Sequence, residues 1–369
     1  LSKSTNTQKA AINTTKKVVN SLLLSIILLI ISELLLQVRS HLRFGQSVFN
    51  AASNETTYQI NHNLNLKLLR PNSKISGSQA TIETNSLGLR SPELTSKKEN
   101  GEFRVAIVGA STVMGTYTPR NEDTLSYRLE YYLNNILNVE HIKVINAGIA
   151  GSSLEEQKQL IEKLLLPLEI DYLVLYTGFN DISRYCNSET NPINEYKLSQ
   201  IQLPSWLLST ELIRKNTVWI HSNIPSFNYL DPSQIDTSGY MSALVSLLSF
   251  VKQTNIPMTI MTNARSFRKN MPIEKQLSLS ETARFYNDCF NLAGLHEVYD
   301  IHNKFIINQA KLYGFHVFNT EQFLPGGAKY FGDATHFTKL GTDVVASHLA
   351  KKLINTGHRF HSNNQPVEN

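Results

Sequence analysis

Apolar and polar positions follow three different patterns along the chain. The first is a block without relief: Val18 to Val38 reads VVNSLLLSIILLIISELLLQV, and Glu33 is its only formal charge. A buried core helix normally keeps a polar stripe at helical period, whereas Leu22 to Ile31 is apolar all round apart from Ser25. At 1.5 Å per residue the block spans about 31 Å, the thickness of a bilayer's hydrocarbon core, and predicts a transmembrane helix over 18–38. The second pattern, over 39–100, is mixed and polar with no sustained period, and reads as a stalk with a partly ordered lead-in.

The third pattern begins after Gly101, where short β-branched or apolar runs alternate with stretches of helical spacing. Strands are expected at 104–108, 142–145, 172–176, 257–261 and 315–318. Helices are expected at 124–137, 154–166, 239–253, 280–292, 298–313 and 339–353. Five buried strands alternating with helices predict a three-layer α/β/α domain on a five-stranded parallel sheet, covering 101–355. One stretch, 182–238, breaks the rhythm: it has no strand signal, holds both tryptophans, Trp206 and Trp219, and is long for a connection. Residues 356–369 form a polar tail.

Charge changes the picture only once it is located. The formal charge of +5 is carried entirely by residues 1–43, where six lysines and arginines face Glu33 alone, and the remaining chain is balanced. No basic stripe for a phosphate backbone follows, so nucleic acid is not an expected partner. Four lysines precede the apolar block and Arg39 and Arg43 follow it, which places residues 1–17 in the cytoplasm and everything beyond the span outside. The residues after the block, Gln37 to Arg43, offer no small-x-small cleavage site, so a retained single-pass anchor is expected rather than a removed signal peptide. Cys186 and Cys289 are too few for a disulfide scaffold or a four-thiolate zinc site. Outside the cytoplasm they could bridge, but their sequence separation leaves their distance in space open.

Ligands of open α/β sheets sit beyond the carboxyl ends of the strands, so the residues following each strand carry the chemistry. Here they read Gly109-Ala110-Ser111, Asn146-Ala147-Gly148-Ile149-Ala150-Gly151, Gly178-Phe179-Asn180-Asp181 and Asp333-Ala334-Thr335-His336. A serine, a glycine that exposes its amide, a side-chain amide and an Asp/His pair are the parts of an acyl-transfer site. Ser111 would attack, His336 would act as general base and then acid, and Asp333 would orient the imidazole. The N–H groups of Ser111 and Gly151 and the Asn180 side chain would hold the oxyanion. Each fragment alone has a plain structural reading, as a helix cap or a turn; only the four together, in this order, point to catalysis.

The same four fragments resemble the conserved blocks of the SGNH (GDSL-type) hydrolases, with a lead-in, Asn85-x-x-Gly88-x-Arg90-x-x-Glu93, similar to one found upstream of the first block in membrane-anchored members. The resemblance covers roughly 84–353 and implies a flavodoxin-like sheet, esterase-type chemistry, and Ser111, Gly151, Asn180 and His336 as the four named residues, with Asp333 completing the triad. One position departs: the aspartate that usually precedes the serine is Ala110. Rival motifs fail at the same loops. Gly109-x5-Gly115-Thr116 is not a phosphate loop, a dinucleotide fingerprint needs glycine where Ser111 stands, and His296-Glu297-Val298-Tyr299-Asp300 lacks the second histidine of a zinc protease helix. No metal and no cofactor are expected.

These readings converge on a membrane-anchored serine esterase facing outward and acting on an O-acyl ester, expected to be O-acetyl, of an extracytoplasmic glycan. Trp206 and Trp219 in the insertion are candidate substrate contacts. An O-acyltransferase would use the same site to pass the acyl group to a sugar hydroxyl. A non-catalytic binding or assembly protein would keep the fold while the site decays, and Ala110 is the feature that leans that way.

Overall fold

The computed structural model describes residues 2–44, 57–76, 79–186, 207–209, 229–357 and 360. The chain divides into two units, one of residues 1–54 with 199–219, the other of 55–198 with 220–369. The first unit is built on helix α1 (Ser2–Phe44), whose stretch Lys16–Arg39 has a mean hydropathy of 2.4 and is long and apolar enough to cross a membrane. Its single acidic side chain is not idle. The Glu33 carboxylate accepts from the backbone amides of Leu208 and Ser209, at 2.8 and 2.9 Å, and from the Gln37 side chain at 2.6 Å. Residues 199–219 fall in the same unit as this helix, whereas the sequence reading assigned all of 182–238 to the catalytic domain.

The second unit begins with two small antiparallel hairpins, β1 (Tyr58–Asn61) with β2 (Leu66–Leu69) and β3 (Lys74–Ser76) with β4 (Thr81–Glu83). The sequence reading expected a stalk with a partly ordered lead-in over 39–100, and these hairpins lie within that stretch. Leu66, Leu68 and Leu69 are buried, so the segment docks by a few large apolar side chains on strands too short to show a period. The predicted lead-in motif follows and is ordered by its own side chains: Asn85 accepts from the amides of Leu87 and Leu89 and donates to the Pro92 carbonyl, while Glu93 accepts from Ser86. Arg90, 1% exposed, spends its guanidinium on six acceptors: the carbonyls of Thr81, Met114, Gly115 and Thr118 and the side chains of Thr118 and Asn121.

The five expected strands form one parallel sheet in the order β6-β5-β7-β8-β9, from β5 (Phe103–Gly109), β6 (Ile142–Gly148), β7 (Tyr172–Tyr176), β8 (Met258–Met261) and β9 (His316–Phe318). Every residue of the central β5 and β7 is buried, the signature of strands covered on both faces. Alternate side chains feed two cores. Ala106, Val108, Leu173 and Leu175 face one layer of helices, where Leu154, Leu244, Leu248, Leu295 and Val298 pack. Val105, Ile107, Tyr172 and Val174 face the other, formed by Leu125, Leu129 and Leu133 of α3 (Leu125–Leu137) with Val345, Leu349 and Leu353 near the end of the chain. Each fully buried leucine contributes about 2 kcal/mol of apolar burial. The sheet is wound outward from β5 to both sides, to β6 on one and to β7, β8 and β9 on the other, so the boundary between β5 and β7 is the switch point where such sheets open a crevice.

Helix boundaries differ from expectation in one region. Residues 280–292 and 298–313 were expected as two helices, yet the chain forms short helices at Ile273–Leu279 and Glu281–Tyr286 and then one long helix, Leu292–Tyr313. Asn291 starts the long helix by accepting from the Gly294 amide, so the apolar period continues through His296 instead of restarting at Val298. Cys186 and Cys289 form a disulfide, with Cα atoms 5.3 Å apart.

Candidate active site

Ser111 is the first residue of a one-turn helix, α2 (Ser111–Met114), that follows β5 directly. The turn sits close against the end of β6: a Cβ on Gly148 would lie 2.1 Å from the Met114 amide, so only glycine allows this approach. Asp333 and His336 lie on a tight loop closed by the bridge between Phe331 and Phe337 and by a Gly332 amide to His336 carbonyl bond of 2.9 Å. Two strands of sequence separated by 225 residues meet here. The Ser111 hydroxyl lies 2.7 Å from His336 Nε2, and His336 Nδ1 lies 2.7 Å from Asp333 Oδ2. A neutral imidazole with its proton on Nδ1 satisfies both bonds, donating to the carboxylate and accepting from the hydroxyl.

The carboxylate is itself held. Asp333 Oδ1 accepts from the amides of Thr335 and His336, each at 2.9 Å. Burial works to raise the Asp333 pKa, but the His336 hydrogen bond and charge, with those two amides, outweigh it and keep the carboxyl below its ordinary range. Tyr117 lines the other side of the imidazole, and burial, with the Asp333 charge, pushes its phenol pKa up.

The remaining predicted residues stand on the neighbouring loops. Neither the Ser111 nor the Gly151 backbone amide has a hydrogen-bond partner among the described residues. Gly151 is needed for its backbone, with φ at +79°, while a Cβ there would meet nothing within 4 Å. Asn180, in the short helix Phe179–Tyr185 beyond β7, donates one N–H to the Ser152 carbonyl at 3.1 Å, which orients its amide and leaves the second N–H available. Trp206 and Trp219 lie outside the described residues. Among the described residues no three His, Cys, Asp or Glu side chains gather to hold a metal ion, and His296 of the long helix pairs with Gln276 of the helix Ile273–Leu279 at 2.8 Å.

Sequence reasoning overlooked Tyr117, Gln157 and Asn263, which border the site with Thr177, the residue that opens the strand-end run before Gly178. Asn263 follows β8, so the rule of reading strand ends pointed to it. Tyr117 and Gln157 carry no local signal, since each reaches the site from within a loop or a helix.

No protein-family model matches the chain, and no curated protein matches it. Solved structures similar to it include a lipase/acylhydrolase from Enterococcus faecalis, at 13% identity over 72% of this chain and 100% of that one, with a TM-score of 0.43. A carbohydrate acetylesterase from Sinorhizobium meliloti is 11% identical over 69% of this chain and 100% of its own, TM-score 0.41. An acetylxylan esterase from Geobacillus stearothermophilus, in a catalytic mutant, is 14% identical over 70% of this chain and 95% of its own, TM-score 0.40.

Proposed function

We propose that this chain is a membrane-anchored serine esterase of SGNH type that removes O-acyl groups, acetyl foremost, from an extracytoplasmic glycan. The observation that carries the reading is the continuous relay from Ser111 through His336 to Asp333 at the switch point of the sheet, with both hydrogen bonds at 2.7 Å. In this mechanism His336 Nε2 takes the Ser111 proton as Oγ attacks the ester carbonyl. Asp333, held ionised, stabilises the imidazolium that forms. The amides of Ser111 and Gly151 and the free Asn180 N–H receive the negative charge on the carbonyl oxygen. His336 then gives its proton to the leaving alcohol, and water repeats the sequence to release the acid. The glycan reading draws support from the apolar helix, which tethers a catalytic unit to a surface, and from the charge balance of the chain beyond residue 43.

Treatment of the full chain with a fluorophosphonate, followed by peptide mass spectrometry, tests the nucleophile. The expected adduct is on Ser111 and absent in Ser111→Ala; no adduct, or one on another serine, overturns the reading. Acetate release from acetylated oligosaccharide tests the substrate class, and Trp206→Ala or Trp219→Ala is expected to lower it while sparing a small aryl acetate. Protease added outside intact membranes is expected to digest the chain beyond residue 45 and leave the amino terminus.

A further inference from the structure

A second cavity opens beyond the carboxyl ends of β8 and β9, and it contains no residue of the triad or the oxyanion hole. It is a groove of about 280 Å³. Thr262 comes to it from the end of β8, Asn319 and Glu321 from the end of β9, and Asp300, Lys304 and Asn308 from one face of the long helix, four residues apart in turn. Strands lie about 4.8 Å apart, so the groove stands about 12 Å along the strand ends from β5, which leads to Ser111. The two sites share a wall. Thr262 lines the groove, and Asn263, the next residue, lines the crevice beside Ser111. The Asn303 side chain, also in the groove, fixes that wall by accepting from the Asn263 amide at 2.7 Å and donating to its carbonyl at 2.8 Å.

The lining sets fixed acceptors against donors that have no protein partner. Arg265, 6% exposed, donates to Asp300 Oδ1 at 2.5 Å, to Glu321 Oε1 at 3.0 Å and to the His296 carbonyl at 2.9 Å. Lys269 holds the other Asp300 oxygen at 2.7 Å, and Arg268 also pairs with Glu321. A buried guanidinium is costly unless it is well paired, so this network keeps both carboxylates in place. Three cations already meet the two carboxylates, and a metal ion would gain little here. Among the described residues Lys304 makes no ion pair, the Asn308 amide makes no hydrogen bond, and Asn319 accepts from Thr262 while its own N–H groups are unbonded. Ile307 is the one apolar side chain among the described lining residues.

We propose that this groove binds a second sugar unit of the glycan, some way along the chain from the acylated one, so that the substrate is an oligomer or polymer rather than a single acylated sugar; the inference rests on the esterase reading above. Neighbouring ring hydroxyls both donate and accept, which answers fixed carboxylates on one side and amide and ammonium donors on the other. An acyl or lipid tail would press its methylenes against charges and amides that it cannot pair. At about 280 Å³ the groove is at the small end of ligand sites and holds one unit rather than a chain. The intervening units then span the distance to the nucleophile.

The test measures acetate release by the full chain in detergent from two probe series, acetylated xylo-oligosaccharides and acetylated oligouronates, each as monomer, dimer and tetramer. Fluorophosphonate labelling of Ser111 is run alongside. In at least one series kcat/KM is expected to rise by about 10-fold or more from monomer to tetramer, chiefly through KM. Lys304→Met and Asn308→Ala are each expected to lower that tetramer-to-monomer ratio by about 5-fold, the worth of one hydrogen bond. Both side chains are exposed, so the substitutions leave the core intact. A ratio within about 3-fold of unity in both series, or a larger one that both variants leave unchanged, overturns the groove assignment. Labelling of Ser111 without acetate release from either series also overturns it, while leaving the nucleophile standing. Absence of Ser111 labelling overturns the esterase reading and the groove with it.

Discussion

The ring of Tyr117 lies against the His336 imidazole, with centroids 5.5 Å apart and planes 29° apart, and it occupies the space that a side chain at position 332 would need. A Cβ built on Gly332 falls 2.1 Å from Tyr117 Cδ1. The imidazole is therefore positioned from two directions, by Asp333 along the triad and by Tyr117 across its face.

Gly332→Ala is expected to displace Tyr117 and loosen His336, lowering kcat by about 10-fold or more with little change in KM, as for a fault confined to the reacting groups. Tyr117→Phe, which keeps the ring, should retain most of the activity. Steady-state kinetics on an aryl acetate distinguish the two. A Gly332→Ala variant with wild-type kcat would show that Tyr117 does not position the base.

Ser111→Ala and His336→Ala are each expected to abolish nearly all ester turnover, and the double variant should be little worse, because the two side chains act as one unit. Asn180→Ala should lose about 10²–10³ in kcat with KM nearly unchanged, since its N–H serves the transition state. Losses that add across the pair, or an Asn180 effect confined to KM, would contradict these roles.

Stability should fall in mild acid for a reason unrelated to the triad. Burial pushes His302 down to about 3, and burial together with the Arg265 charge pushes His296 down to about 4. Both are neutral in the folded chain, whereas the unfolded chain protonates them below about pH 6.5 and so binds more protons. Their contribution is complete above that pH and is lost as pH falls toward the folded values, by up to about 1.4 kcal/mol per pH unit for each. Urea midpoints measured from pH 7 to 4.5 should show the decline. In His302→Gln, which can still accept from the Tyr185 hydroxyl, the slope should be shallower; an unchanged slope would remove His302 from the account.

Arg90 ties the lead-in to the loop that follows Ser111. Burial lowers its pKa to about 10, which still leaves it charged at neutral pH. Lysine would keep the charge but offers three donors to six acceptors, so Arg90→Lys should destabilise the fold by about 3 kcal/mol or more. It should also slow fluorophosphonate labelling of Ser111 at temperatures where the fold is intact. Normal labelling in a destabilised variant would confine Arg90 to a structural role.

Much of this was legible in the chain because buried parallel strands write themselves as apolar runs. Val105 to Val108 and Tyr172 to Tyr176 announce two central strands, and the residues after them announce the loops that hold Ser111 and Asn180. The hairpins over 58–83 were not legible, since three- and four-residue strands carry too few alternations to show a period of two. The break at 287–291 was missed because an asparagine cap inside an apolar stretch is a hydrogen-bond decision that periodicity does not record. Tyr117 and Gln157 escaped notice for a different reason: each reaches the site from within a loop or a helix, and only the folded chain brings them beside the triad.

Cys186, where the chain leaves for the insertion, is bonded to Cys289, whose carbonyl accepts from the amide of Leu230, where the chain comes back. Exit and return thus meet at Cys289, the one through a disulfide and the other through a backbone hydrogen bond. Closing a longer excursion costs only about 0.6 kcal/mol for each doubling of its length. A change of length between these two points is therefore expected to leave the sheet and the Ser111–His336–Asp333 relay in place, and fluorophosphonate labelling of a chain shortened within 187–229 checks it. Divergence among related chains should therefore concentrate between these two anchor points, and an engineer seeking a new substrate range has a bounded place to graft one.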